Sequence, residues 1–366
     1  MATNLATPLN AIHAAASKAV PRVLVTVAEV AGSAPREPGA KMVITQYHTF
    51  DTIGGGHLEM RATDIAREML SMPAGSLAAE RRLERFPLGP SLGQCCGGVV
   101  HLVFERIMPQ AAEHFGGLQR RWREGLDTWR SVPLERAEEP SLYDGAGLRL
   151  SGPGPATLLP PGPGVQCKVR LDDRGQRCLV DSCLPYRQHL VLFGAGHVGA
   201  AIVRALAELP CRVTWVDERD DMFPPVLPAN VHVEATDTPE AVVAEAAPGT
   251  TFLVLTHSHA LDQMLSEQIL RRTDFAWFGL IGSATKRVQF ERRLRERGIP
   301  AERMADMTCP IGLPGIHDKA PAVIAASVAA QLLQVWEAIE LALPATAPAA
   351  APIAAIANAM ETACTA

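Results

Sequence analysis

His189-Leu-Val-Leu-Phe193 runs into Gly194-Ala-Gly196-His-Val-Gly199, and Asp217 follows eighteen residues after the last of these glycines. The apolar run has the length and composition of a strand buried on both faces. Glycines at this spacing make a tight turn and open a helix whose first N–H groups point at an anion. A second apolar run, Arg212-Val-Thr-Trp-Val216, ends in Asp217, close to the separation of about 20 residues at which a carboxylate meets a ribose hydroxyl. Strand, glycine turn, helix, strand and terminal acid predict a Rossmann unit. The same glycines also serve, in the plainer reading, only to pack strand on helix.

Outward from this unit the alternation continues. Apolar runs at 231–234, 251–255 and 275–281 read as strands, and helical patterns fall near 238–247, 260–272, 284–298 and 320–342. Residues 189–342 therefore read as a doubly wound parallel sheet. Thr256-His257-Ser258-His259 and Gly282-Ser283-Ala284-Thr285-Lys286-Arg287 each follow a strand, at the carboxyl edge where ligands of such sheets bind. Gly194, Gly196, His197, Gly199, Asp217, Thr256, His257 and Ser283 are the candidate binding residues of this half. His257 reads equally as an acid or base and as an ordinary loop residue.

The other half, 1–143, reads as a smaller α+β domain. Arg22 to Val30 is a β-branched strand ending in the turn-forming Gly32-Ser33-Ala34-Pro35-Arg36, and 41–46 forms a second strand. Thr52-Ile-Gly54-Gly55-Gly56-His57-Leu-Glu59 then opens a helix reaching about Leu70, 99–105 is another strand, and a helix is expected over 110–129. Ser33, Arg36, Lys41 and Gly54–Gly56 form a candidate anion cradle. His57 and Glu59 can bond a heterocycle, although Glu59 also suits the helix N-terminus electrostatically. Glycine and proline crowd 144–164, so 144–188 is expected to be a linker carrying a hairpin around Asp172-Asp173-Arg174-Gly175. The Ala- and Pro-rich stretch 343–366 reads as a flexible tail.

Gly93-Gln94-Cys95-Cys96-Gly97-Gly98 carries the most distinctive chemistry of the chain. Adjacent cysteines suit a mutual disulfide poorly, which leaves two readings. They are small buried apolar residues, or soft thiolates held where glycine lets a ligand approach, able to bind a soft metal or carry sulfur. The other six of the eight cysteines are scattered, without zinc-ligand spacing, as in a reducing cytosol. A net charge of -5 argues against nucleic-acid or anionic-membrane binding. Residues 1–20 lack the pattern of a signal peptide, and 343–366 is too interrupted to span a membrane.

Taken together, Gly32–Arg36, Thr52–Glu59, Gly93–Gly98, Phe193–Gly199, Leu255–Asp262 and Cys309-Pro-Ile-Gly-Leu313 resemble the xanthine dehydrogenase accessory protein family, XdhC/CoxI, over roughly residues 20 to 340. The resemblance implies a cytoplasmic chaperone. Such proteins bind molybdenum cofactor (molybdopterin), hold it while a cysteine desulfurase exchanges an oxo for a sulfido ligand, and insert it into xanthine dehydrogenase; a homodimer is implied as well. An anionic pterin dithiolene needs loop N–H groups and cations for its phosphate, polar groups for the pterin and a thiolate near the metal. Ser33, Arg36, Lys41, Gly54–Gly56, His57, Glu59, Gln94, Cys95 and Cys96 would supply them. Some members of the wider family have a cysteine where this chain has His57, so the metal contact here falls to Cys95 or Cys96. The competing reading is an NAD(P)-dependent oxidoreductase using the Rossmann half, with Asp217 favouring NAD. Its weakness is the lack of a catalytic dyad, since His57 and Glu59, two apart on a helix, point away from each other.

Overall fold

A computed structural model describes residues 20–89, 97–161 and 165–342. The chain divides into two compact units, the first ending at Pro185 and the second starting at Tyr186.

The first unit holds two five-stranded antiparallel sheets. In one, β1 (Arg22–Ala31) lies between β2 (Lys41–Ile44), edged by β3 (Thr49–Asp51), and β5 (Val99–Ile107), edged by β4 (Arg81–Pro87). The continuous apolar run of β1 is explained by its position: its first seven residues are buried, because both faces are covered. Helix α1 (Gly56–Ser71) lays Leu58, Ala62, Ala66 and Met69, a stripe at helical spacing, over Val23, Val25 and Val27. The opposite face, with Leu24 and Val43, packs on Phe115 and Leu118 of α2 (Ala112–Arg123).

The second sheet was not legible in the sequence. It runs β8 (Arg149–Ser151), β7 (Ser141–Asp144), β6 (Thr128–Pro133), β10 (Arg177–Cys183), β9 (Cys167–Leu171). The helix expected over 110–129 stops at Arg123, since Gly125, at φ +74°, ends it with Leu126 N–H bonded to the Arg121 carbonyl, and 128–133 is a strand. The 144–188 linker is likewise corrected, because it supplies β8, β9 and β10 and the first unit continues through it. The hairpin itself forms, with Asp172 Oδ1 accepting from the Arg174 and Gln176 amides.

A buried chain of charges joins the two sheets of this unit. Lys41 Nζ donates to Asp181 at 2.7 Å, Arg130 bonds Asp181 at 3.3 Å and both Glu105 oxygens at 2.8 Å, and Arg81 stands 3.7 Å from Glu105. Burial alone would raise the Glu105 carboxyl, but Arg130 and Arg81 outweigh it and hold it below the usual range.

The second unit is a six-stranded parallel sheet in the order β13 (Val231–Ala235), β12 (Cys211–Asp217), β11 (Gln188–Phe193), β14 (Thr251–Val254), β15 (Trp277–Leu280), β16 (Met307–Thr308). Chain order reverses direction between β11 and β14, the place where open α/β sheets leave a crevice. Helices α3 (His197–Ala205) and α7 (Pro321–Ala342) cover one face through Ile202, Val328, Leu332 and Trp336. Helices α4 (Pro239–Glu245), α5 (His259–Arg271) and α6 (Ala284–Glu296) cover the other through Val243, Leu265, Ile269, Phe290 and Leu294. The stretch 321–339 is apolar and long enough to cross a membrane, yet its Val328, Leu332 and Trp336 belong to this core.

Candidate functional site

In the first unit, loops distant in sequence meet beside β1. A Cβ on Gly98 would lie 2.2 Å from the Ser33 carbonyl oxygen, and one on Gly54 would lie 2.3 Å from Pro35 Cβ. Only glycine permits either approach, so the 32–36 loop is flanked by the three-glycine turn and by the end of the cysteine-bearing run. Ser33 is exposed on that loop. Gln94, Cys95 and Cys96 lie outside the described residues.

The glycine turn binds its own chain. Gly54, Gly55 and Gly56 have φ of +119°, +78° and +64° in succession. Glu59 Oε1 accepts from the Ile53 and Gly55 amides at 2.9 and 2.8 Å and from the Thr52 hydroxyl, whose oxygen accepts from Gly54 N at 3.0 Å. The expected anion cradle is thus filled by a carboxylate from the first turn of α1. Arg36 reaches this turn, donating to the Thr52 carbonyl at 3.2 Å, and its pairing with Glu37 raises its pKa further. Lys41 does not join it. Its ammonium is buried on Asp181 and the Gly39 carbonyl, which removes it from the cradle the sequence suggested. His57 is exposed. Asp51, unnoticed in the sequence, sits at φ +65° before the turn, with its carboxyl pKa raised by burial.

In the second unit the Rossmann glycines are spatial necessities. A Cβ on Gly194 would fall 2.3 Å from the Leu255 carbonyl oxygen, and one on Gly199 would fall 2.1 Å from the Gly194 carbonyl oxygen, whereas Gly196 faces open space. His197 begins α3. Asp217 is already occupied: it accepts from Ala195 N at 2.6 Å and from the Arg219 amide, Nε and Nη2 at 3.1, 2.8 and 3.0 Å. Burial would raise its carboxyl pKa, but the Arg219 and Ala195 bonds prevail and hold it low. His257 Nε2 stands 3.3 Å from Glu218 Oε1. Together these contacts leave about 10 Å³ over Gly194 and Asp217.

Beyond Thr256 and His257 the crevice widens to about 390 Å³, lined among others by His259, Asp262, Ser283 and Lys286. Sequence reasoning passed over the partnership that organises this hollow. Asp262 Oδ1 accepts from Thr256 N and Oγ1 at 3.0 and 2.7 Å, while Oδ2 accepts from Lys286 Nζ at 2.7 Å. Ser258 and Ser283 cap α5 and α6, accepting from Leu261 N at 3.3 Å and Lys286 N at 3.2 Å. The legible signal was an acid and a lysine in the first turns of successive helices, each just past a strand's carboxyl end. Among the described residues no group of three or more His, Cys, Asp or Glu is placed to hold a metal.

Residues 190–332 match the XdhC Rossmann domain, and residues 15–82 match the XdhC and CoxI family. The chain belongs to the XdhC and CoxI family. Over 155 residues, 41% of this XdhC/CoxI chain, it is 34% identical to the uncharacterized protein YqeB of Escherichia coli (strain K12), but spans only 27% of that protein's length. A protein of Bacillus subtilis (strain 168) named as a probable xanthine dehydrogenase subunit is 24% identical over 322 residues, covering 85% of this chain and 92% of its own. The fold is shared with a crystal structure from Bacillus halodurans described as a xanthine dehydrogenase: the TM-score is 0.72 at 20% identity, over 93% of this chain and 98% of that one.

Proposed function

We propose that this chain is a carrier that holds molybdenum cofactor for xanthine dehydrogenase, with a cysteine desulfurase as the partner that sulfurates the bound cofactor. The observation that carries the reading is the close approach of Gly98 to Ser33 and of Gly54 to Pro35. It brings three family motifs together at the point where the Cys95-Cys96 run joins the described fold. Family membership and the names of the Bacillus relatives, which concern xanthine dehydrogenase, support the choice of client.

The donor set fits the cofactor in part. Ser33 and the first amides of α1 remain for an anionic group, whereas Lys41 and the amides of Ile53, Gly54 and Gly55 are engaged within the chain, and Arg36 would have to exchange its Glu37 carboxylate for the ligand. When bound, the cofactor would supply the oxo-to-sulfido exchange; the chain's own task is to bind, orient and shield it, with Cys95 or Cys96 as the soft metal contact. The dehydrogenase reading finds no comparable support, since Asp217 is saturated by Arg219 and Ala195 and the space beside it is small.

The test is molybdenum content per chain after expression in a cofactor-producing host, for the wild type and for a Cys95→Ala/Cys96→Ala double variant. Near-stoichiometric metal in the first and its loss in the second are expected. A metal-free wild type would refute the carrier; undiminished metal in the double variant would refute the thiolate contact.

A further inference from the structure

We propose that the outer edge of β13 (Val231–Ala235) is where two copies of this chain join, the two strands pairing antiparallel about Val233 so that the parallel sheets of the two second units run on into one another. This surface is independent of the carrier reading, which concerns the first unit.

A comparison of the sheet edges decides the place. An edge strand offers a row of N–H and C=O groups to any other strand, and proteins blunt such edges by shortness, proline, charged side chains or an irregular register. Among the described strands the other edges are blunted. β3 and β8 have three residues each and β16 has two, β4 carries Arg81, Arg82 and Arg85 and ends in Pro87, and β9 carries Lys168 and Arg170. β13 has five residues in unbroken register with β12, and none of them is proline, lysine or arginine. Its apolar side is also incomplete. Val231 and Val233, with Phe223 and Leu227 of the preceding loop, are only partly buried against the core under α3 and α7, while Met222 and Val226 in that loop are 37% and 82% exposed.

The order of side chains decides the occupant. Within the chain, His232 and Glu234 lie opposite Thr214 and Val216 of β12, so neither meets an opposite charge across that pairing. The antiparallel register that overlaps all five residues sets Val233 against Val233 of the partner subunit and His232 against Glu234 of the partner subunit, the latter twice by symmetry. A two-fold axis normal to the sheet keeps each face on its own side. Val231, Val233 and Ala235 then extend the apolar side, and His232 and Glu234 complement each other on the opposite face. Moving the axis to His232 would set that imidazole against its own copy and shorten the overlap. A strand whose charges answer their own reversed order suits a second copy of itself better than an unrelated strand.

The experiment is sedimentation velocity of the full chain between about 1 and 100 μM, which should show a monomer–dimer equilibrium with a Kd of about 1–50 μM. Glu234→Lys sets a lysine against His232 of the partner subunit and should weaken the dimer about tenfold or more while cooperative melting persists. Adding the reverse change, as His232→Glu/Glu234→Lys, restores opposite charges across the axis and should return the Kd to within about threefold of the wild type. Val233→Cys, a small change on the axis itself, should give a disulfide-linked dimer on oxidation that the wild type does not form, because facing residues of an antiparallel pair stand about 4.5–5.5 Å apart at Cα; it serves if the charged variants fail to fold. A chain that stays monomeric at about 100 μM, an undiminished dimer in folded Glu234→Lys, no recovery in the double variant, or no Val233→Cys crosslink would each overturn the assignment.

Discussion

The glycine turns at 54–56 and 194–199 look alike on paper and behave differently in the fold. In the first, Glu59 gathers the Ile53 and Gly55 amides, and Thr52 takes the Gly54 amide, so the turn's own chain fills the nest. In the second, Asp217 takes one amide of the turn, that of Ala195, and spends its other bonds on Arg219, and the glycines are needed chiefly for backbone contacts with Leu255 and within the turn. A glycine run reports where the backbone must turn or approach closely; whether a ligand uses the exposed N–H groups depends on the acids nearby. The same contrast separates the units' buried charges. The first unit ties two sheets together through five charged side chains, whereas the second places one acid and one lysine at the rim of a hollow.

Breaking the larger network should have the greatest effect. Asp181→Ala strands Lys41 and Arg130 in the interior and is expected to cost about 3–5 kcal/mol, read as a lower urea midpoint for the first unit. A cost below about 1 kcal/mol would show that the network is not what joins the sheets. Asp262→Ala removes the anchor of Lys286 and Thr256 in the second unit and should cost less, about 2–3 kcal/mol, because Lys286 retains the Ile281 carbonyl and some access to solvent.

Acid provides a finer comparison, since each unit contains a half-hidden imidazole whose pKa is lowered by burial. Burial pushes His114 and His189 down to about 4, with Arg130 adding to the effect on His114 and Arg212 to that on His189. The folded state then binds its proton more weakly than the unfolded chain, whose histidines titrate near 6.5. Stability is therefore complete above that pH and falls as pH drops through the window from about 6.5 to about 4, by on the order of 3 kcal/mol per ring. Denaturation curves at pH 7 and pH 5 check this, and His114→Gln and His189→Gln should each flatten the loss in one unit only. The smallest expected effect is at the first glycine turn. Glu59→Ala should cost about 1 kcal/mol in thermal or urea stability, the worth of a helix-end acceptor. No change on its removal would mean that the turn is held by Thr52 and Pro35 alone.

The Rossmann half was legible because its signals are local. Most parallel strands are short apolar runs, four of the helices start at a serine, threonine or glycine, and the fingerprint lies within one strand–turn–helix segment. The sixth strand, Met307–Thr308, escaped notice because two residues carry no periodicity. The second sheet of the first unit was hidden for another reason. Its edge strand Arg149–Ser151 is fully exposed, and the Gly- and Pro-rich turns around it, including Gly147 and Gly152 at φ +84° and +89°, read as breakers while in fact shaping a hairpin. Gly125 was a usable stop signal for α2 that the apolar residues beyond it, Leu126 and Trp129, disguised.

The chain's own order of residues determined the parallel sheet, the glycine turns and the motifs of the XdhC and CoxI family, because strand and helix patterns and backbone conformations are set within a few neighbouring positions. Only the tertiary structure decided what the charges do. Lys41 meets Asp181 across 140 positions and Asp262 meets Lys286 across 24. A buried charge takes whichever opposite partner folding brings within reach, since leaving it unpaired costs more than nearly any other defect, and that partner cannot be read from spacing along the chain.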